Sequence, residues 1–297
     1  MITTHKSGKN RPHLIVNSVS GCYSRRRIDR AVRSLSCAGV TPEIHEIDTL
    51  EETETCCTQI QKTEAAPYII VAAGDGTINA ALNGIGPGKA TLALIPLGTS
   101  NVLARELGIR SLDDSINRIV RDATKPLAVG VLELGEARRY FSLMAGIGFD
   151  GAVVRDVGRF EKRLLKQGAY GLSALRQLWA WDREPLVVSC EGYNVSCHSV
   201  IISNAARYGG DFVLAPGQDV SRPGLSVVCI TSDRRRTYLG LAMDLLLRRD
   251  WPGCAVNRFT ANNLVVNGTK PIQVDGDFAG YGPARLSVVD NFARIIA

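Results

Sequence analysis

No stretch of the 297-residue chain holds the roughly 18 consecutive uncharged apolar residues that a membrane-spanning helix needs. The longest apolar runs, such as Tyr238–Leu247, are short and interrupted. The N-terminal MITTHKSGKN has no apolar h-region, so no secretory signal is read and a cytoplasmic protein is expected. The eight cysteines form no C-x-x-C pair and have no histidine partners at zinc spacing. They read as reduced thiols, mostly small apolar residues. No internal repeat and no low-complexity tract is present. The basic runs lack an interleaved aromatic platform, which argues against nucleic-acid binding.

What is present is an ordinary globular composition. Hydrophobic residues make up 45% and charged residues 22%, which excludes disorder or a collagen-like chain as a description of the whole. At about 100–200 residues per domain the length suggests two domains, each able to bury a core. The net charge of +6 reads either as a solvated surface or as a match to an anionic partner such as a nucleotide or an anionic lipid surface.

Up to about residue 126 short apolar runs alternate with helical periodicity. His13–Val16, Glu43–Ile47, Tyr68–Ala72 and Leu92–Ile95 read as strands. Ile28, Val32 and Leu35 mark one helix, and Ile78, Ala81, Leu82 and Ile85 another. That alternation predicts a parallel α/β sheet. From residue 127 onward the runs are strand-like: Leu127–Leu134, Tyr140–Ala145, Leu186–Cys190, Ser199–Ser203, Leu225–Ile230, Leu264–Val266, Ile272–Val274 and Arg285–Val289. They predict an antiparallel β-sandwich over 127–297. Two helical insertions interrupt it, around Val157–Trp181 and Thr237–Arg249. The C-terminal segment is left free to return to the first domain.

Four turns carry chemistry. Gly74-Asp75-Gly76-Thr77-Ile78-Asn79 lies between a strand and a helix. There glycine lets a ligand approach the backbone, and the first helical turn offers N–H groups to phosphate. A carboxylate at Asp75 fits if it holds Mg²⁺ or takes a proton; otherwise Asp-Gly is a plain turn. Gly98-Thr99-Ser100-Asn101 repeats the strand–turn–helix arrangement, with Thr99 as a phosphate ligand or Ser100 or Asn101 as an N-cap. Two such turns on one sheet edge suit a ligand beyond the carboxyl ends of the strands. Asp275-Gly276-Asp277 reads either as an acidic hairpin turn or as a carboxylate pair acting as metal ligand and general base. Gly146–Gly151 leaves a strand for a helix, and Asp150 there either caps the helix or bonds a substrate hydroxyl.

The order of these pieces resembles the bacterial diacylglycerol-kinase-type lipid kinases, a group related to sphingosine kinases and more distantly to NAD kinases. Asn17-Ser18-Val19-Ser20-Gly21 is similar to the family's N-P-x-S-G, Ala73–Thr77 to G-G-D-G-T and Gly98–Asn101 to G-T-x-N. Gly146–Asp150 follows, then Ser203-Asn204 with Tyr208-Gly209-Gly210 and Ala215-Pro216, and Asp275–Asp277 is similar to D-G-E. The resemblance implies a Rossmann-like nucleotide domain, a β-sandwich lipid domain and phosphoryl transfer from ATP to a lipid hydroxyl in an interdomain cleft. It implies that Asn17–Gly21, Gly74–Asn79, Gly98 and Thr99 hold the nucleotide and that Asp150 and Asn101 face the substrate. Asp275 takes the proton-acceptor position of bacterial relatives, Asp75 sits beside the transferred group, and Asp75 and Asp277 support Mg²⁺. In the sphingosine branch the base role falls on the aspartate matching Asp75. The departures are Ser18 for proline, Ala73 for the first glycine, Ala80 for glutamate, Val102 for aspartate and Asp277 for the final glutamate. The turn near Ala215–Gly224, acidic and metal-binding in some relatives, has only Asp219 here.

Basic residues flank apolar and aromatic ones in the first insertion: Arg155, Arg159, Lys162, Arg163 and Lys166 around Phe160, Leu164 and Leu165, then Leu172, Leu175, Leu178, Trp179 and Trp181. The second pairs Arg234–Arg236 and Arg248–Arg249 with Leu239–Leu247. Both read either as caps on the β core or as peripheral contacts with an anionic inner-membrane surface. The rivals to a lipid kinase are a soluble-substrate kinase of the NAD-kinase type and a non-catalytic nucleotide- or lipid-binding relative. No pattern sets an oligomeric state.

Overall fold

The computed structural model describes residues 11–157, 173–174, 176–178, 181–251 and 253–297. The chain divides into two compact units, Met1–Pro126 with Asn291–Ala297, and Leu127–Asp290.

The first unit runs β1 (His13–Asn17), α1 (Arg25–Cys37), β2 (Glu43–Ile47), α2 (Leu50–Thr63), β3 (Tyr68–Ala73), α3 (Asp75–Ile85), β4 (Thr91–Pro96), α4 (Val102–Glu106) and α5 (Leu112–Arg121). The strands pair in parallel in the order β2-β1-β3-β4. Every residue of β1 and β3 is buried, the pattern of strands covered on both faces. α1 buries Ile28, Ala31 and Leu35 against Leu14, Val16 and Ile70. α2 starts where Thr49 and Glu52 satisfy each other's backbone amides in a capping box, and Ser111 caps α5.

The second unit contains β5 (Thr124–Leu134), β6 (Ala137–Phe141), β7 (Met144–Ile147), α6 (Phe149–Asp156), β8 (Leu186–Cys190), β9 (Tyr193–Cys197), β10 (Ser199–Ser203), β11 (Arg207–Tyr208) and β12 (Phe212–Val213). β13 (Leu225–Ile230), α7 (Arg235–Leu246), β14 (Val256–Ala261), β15 (Asn263–Asn267), β16 (Pro271–Val274), β17 (Asp277–Tyr281) and β18 (Ala284–Ile296) follow. One antiparallel layer has the order β14-β13-β10-β7-β16-β17. The facing strands are β5 with β6, and the start of β18 with β15, β8 and β9. Side chains of both layers, among them Phe141, Ile147, Val188, Val200, Val227, Leu264, Ile272 and Leu286, fill a common core. Each is nearly fully buried, worth about 1.5–3 kcal/mol relative to exposure. The end of β18 belongs to the first unit, where Arg294 and Ile295 pair in parallel with Thr91 and Leu92 of β4.

All eight cysteines are free. Among the described residues no helix is long and apolar enough to cross a membrane. The expected strand Tyr140–Ala145 is two strands, β6 and β7, interrupted at Ser142-Leu143. The predicted helix Thr237–Arg249 lies at Arg235–Leu246. Of the first insertion, Arg159, Phe160, Lys162, Arg163, Leu164, Leu165, Lys166, Leu172, Leu175 and Trp179 lie outside the described residues.

Candidate functional site

In the first unit three loops meet at the carboxyl ends of β1, β3 and β4. The Asn17 amide nitrogen donates to Thr77 Oγ1 at 2.9 Å, and Asn17 Oδ1 accepts from the Val19 N–H at 2.9 Å. The Cys22 N–H donates to the Leu97 carbonyl at 2.9 Å, and the Leu97 N–H to the Ala73 carbonyl at 2.9 Å. The latter two loops touch backbone to backbone at Gly74 and Gly98. A Cβ on Gly98 would stand 2.6 Å from Gly74 Cα and 2.7 Å from Asn101 Oδ1, and one on Gly74 would stand 3.0 Å from Gly98 Cα. Only glycine allows this approach. The Ser18 hydroxyl donates to Asp48, the Ser20 N–H turns back to the Asn17 carbonyl, and Val19 is exposed. Asp75, Gly76, Thr77 and Ile78 form the first turn of the 11-residue α3, followed by Asn79; the amides before Ile78 have no partner inside the helix, while the Ile78 N–H donates to the Gly74 carbonyl at 3.1 Å.

Asp75 heads α3 but points its carboxylate at another helix. Its Oδ2 accepts from the Val102 N–H at 3.0 Å and its Oδ1 from the Leu103 N–H at 3.1 Å. Burial holds this carboxyl above its ordinary range, while the two amides pull the other way. Asp75 thus caps α4, engaging the amides of its first two residues. Asn101 adopts φ 47° and clasps the turn, accepting from the Gly98 N–H at 2.7 Å and donating to the Gly98 carbonyl at 2.9 Å. Ala80 and Val102 are both buried, and Val102 offers Asp75 only its backbone. Beside the turn a cavity of about 600 Å³ is lined by Arg26, Arg27, Arg30, Arg110, Leu97 and Asn101.

In the second unit Asp275 and Gly276 are the two-residue loop of the β16–β17 hairpin, with φ 47° and 87°. Positive φ at both positions is the type I′ arrangement that Asp-Gly favours. The turn aims the Asp275 carboxylate at the gap between β6 and β7. Oδ2 accepts from the Ser142 N–H at 2.8 Å and the Ser142 hydroxyl at 3.0 Å. Oδ1 accepts from the Leu143 N–H at 3.0 Å and the Met144 N–H at 2.8 Å. The strand breaks there because these successive amides leave the ladder to form a nest for the carboxylate. Burial nevertheless pushes the Asp275 carboxyl up to about 6, against the pull of its four donors. Asp277, the first residue of β17, is exposed.

Asp150 is buried at the start of α6. It accepts from the Tyr208 hydroxyl and, at 2.7 Å, from the Gln273 side-chain amide. Burial raises its pKa. It lies so close over β7 that a Cβ on Gly146 would stand 1.9 Å from its Oδ2. Gln273, which sequence reading did not single out, also accepts from the Gly276 N–H at 2.8 Å and so fixes the Asp275 turn. Ser142 was missed as well. Neither residue carries a sequence signal: Ser142 meets Asp275 across 133 positions, and Gln273 meets Asp150 across 123.

At the Ala215–Gly224 turn, Asp219 accepts from the Ser221 N–H and hydroxyl at 2.9 and 2.7 Å, an Asx turn. Trp181 and Leu178 pack with Tyr238 and Phe149, so these two insertion residues are core caps.

Comparison with known proteins matches both halves of the chain. Residues 11–132 match the diacylglycerol kinase catalytic domain, and residues 144–297 the YegS C-terminal NAD kinase beta sandwich-like domain. A diacylglycerol kinase of Bacillus subtilis is 26% identical over 228 residues, covering 73% of each chain. One of Mycobacterium tuberculosis is 25% identical, covering 77% of this chain and 76% of its own. A crystal structure of a diacylglycerol kinase from Bacillus anthracis superposes with a TM-score of 0.74 over 96% of both chains at 19% identity, a likeness of fold. With a diacylglycerol kinase catalytic domain matched over residues 11–132 and a YegS C-terminal domain over 144–297, this chain belongs to the diacylglycerol kinase catalytic-domain family and is a kinase.

Proposed function

We propose that this kinase transfers the γ-phosphoryl group of ATP to the hydroxyl of a diacylglycerol-like lipid. The observation that carries the reading is the packing of the three loops at Asn17–Gly21, Gly74–Asn79 and Gly98–Thr99, with Gly74 against Gly98. Such a floor, followed by the first turn of α3, suits a chain of phosphates. Asp75 and Asp277 are each proposed as carboxylates that support Mg²⁺. The ion's part is to neutralise charge on the phosphates.

Asp275 is proposed as the proton acceptor. A carboxylate has about four lone-pair positions, and Asp275 has four donors. The Ser142 hydroxyl is the donor that can rotate away, so a substrate hydroxyl takes its place while the three backbone amides keep the carboxylate aimed. A pKa near 6 suits a base at neutral pH. Between about pH 4 and 6 the folded chain holds this proton and the unfolded chain does not. Ionising Asp275 therefore costs stability as pH rises through that window. Activity runs the other way: kcat/KM is expected to fall as pH drops below about 6, read from a profile over pH 5–9. A flat acid limb would remove Asp275 from the base role.

The lipid is expected to be reached from a membrane surface by a chain at the cytoplasmic face. α7 buries Tyr238 and Leu241, while Leu239, Met243 and Leu246 make an exposed stripe at i, i+4 and i+7. Arg234, Arg236, Arg248 and Arg249 flank it, the arrangement of an interfacial helix. Binding to anionic vesicles is expected to weaken with salt and with Leu239→Glu/Leu246→Glu. Equal co-sedimentation with neutral and anionic vesicles would remove the electrostatic part. Labelled ATP supplied with diacylglycerol, monoacylglycerol, a sphingoid base, phosphatidylglycerol and NAD tests the substrate class. Label in a lipid supports the proposal; label in NAD alone points to a soluble-substrate kinase, and bound nucleotide without transfer to a non-catalytic relative.

A further inference from the structure

At the amino ends of β1 and β2, away from the glycine loops along the same strands, three metal-ligating side chains converge. His13 and Glu43 are register partners in the parallel pair, and His45 follows Glu43 by two residues on the same face of β2. One ligand atom from each of His13, Glu43 and His45 lies within 4.8 Å of the others. His13 Nδ1 faces His45 Nε2 at 3.0 Å, and Glu43 Oε1 is 3.8 Å from His45 Nε2. Glu64, the C-cap of α2, contacts the other ring nitrogen of His13 with its Oε1 2.9 Å from Nε2. Sequence spacing conceals this group, because strand pairing joins residues 13 and 45.

We infer that His13, His45 and Glu43 form a binding site for a borderline divalent cation of the Zn²⁺ class, with Glu64 as the residue that orients His13. The chemistry follows from the contacts. Glu64 accepts the Nε2 proton of His13, which leaves Nδ1 as a lone pair directed at the cluster. A carboxylate behind a ligating imidazole is the usual means of fixing tautomer and ring plane. Without a cation, His45 Nε2 donates its proton to His13 Nδ1. Binding requires only that His45 carry its proton on Nδ1, so that both facing nitrogens become donors of lone pairs. Tetrahedral zinc with Zn–N bonds of about 2.0–2.1 Å sets its nitrogens roughly 3.3 Å apart, so the observed 3.0 Å needs a small opening. Two imidazoles and one carboxylate favour zinc over Mg²⁺ or Ca²⁺, which prefer oxygen ligands alone. Water completes the fourth position. The ion ties edge strand β2 to β1 through ligands separated by 32 positions in sequence.

The test is a Zn²⁺ titration of the full chain after chelation and desalting, followed by bound-metal content and by thermal unfolding with and without zinc. Wild type is expected to keep one equivalent and to unfold at higher temperature with zinc. His45→Gln is expected to weaken binding by at least about 10²-fold and to abolish the thermal shift; Glu64→Gln, which spares all three ligands, weakens it about 10-fold. His13 is buried, so the half-buried His45 and exposed Glu43 are the positions to vary, Glu43→Gln serving as the second ligand variant. Co²⁺ in place of zinc should give ligand-field bands without thiolate charge transfer. Zinc affinity unchanged in both His45→Gln and Glu43→Gln, or a thiolate band with Co²⁺, would overturn the assignment by placing the metal on cysteine.

Discussion

Asp275→Asn is expected to lower kcat for lipid phosphorylation by about 10²-fold or more, the range associated with loss of a general base. The substitution removes the charge from a side chain that accepts three backbone amides and the Ser142 hydroxyl. An asparagine must also turn an NH₂ toward one pair of those donors. An unsatisfied pair of this kind costs about 1–3 kcal/mol, so part of the loss could come from the fold. Ser142→Ala separates the two effects. It leaves the three backbone bonds and the Asp275 charge in place and removes the donor proposed to yield to substrate. Its kcat is expected to stay within about 10-fold of wild type, while Asp275→Asn falls at constant ATP affinity. Wild-type turnover in well-folded Asp275→Asn would contradict the base role.

Gly98→Ala is expected to abolish productive nucleotide binding. The new methyl would lie 2.6 Å from Gly74 Cα and 2.7 Å from Asn101 Oδ1, and neither neighbour is a free side-chain end. Gly74 is backbone at the head of α3, and Asn101 is fixed by two bonds to residue 98 itself. Relief comes only by separating the two loops, at roughly 1–3 kcal/mol. A displacement of 1 Å at a positioning element can cost about 10²-fold in rate, so kcat/KM for ATP should fall by at least that amount. Gly88→Ala is the matching control: its methyl would find nothing nearer than Gln61 Nε2 at 3.9 Å. Equal ATP kinetics in the two alanine variants would separate the glycine contact from nucleotide binding.

The parallel half of the fold was legible because its strands are continuous apolar runs and its helices keep a 3.6-residue period. Glu43–Ile47 is the strand the pattern predicts, although most of its residues are not buried. In the second unit Leu186–Cys190, Ser199–Ser203 and Leu225–Ile230 fall where alternation and turn signals place them. The break between β6 and β7 was not legible. Local propensity favours one strand through Tyr140–Ala145, and the competing partner for its amides is a carboxylate more than 130 positions away. The same distance hid Ser142, and Gln273 meets Asp150 across 123 positions. Asp75 shows the converse: its position after a strand was readable, but its bond to the amides of α4 was not, because the pattern of a turn does not say which helix a carboxylate will cap. The Asp-Gly hairpin reading and the carboxylate reading of Asp275 are compatible, since the positive-φ turn is what aims the side chain.

The most direct measurement is transfer of label from γ-labelled ATP to diacylglycerol in mixed micelles, with nucleotide binding followed in parallel on the same protein. The account predicts label in the organic phase, dependent on Asp275 and on the Gly74–Gly98 contact. Bound ATP with label in no lipid of the panel would contradict it.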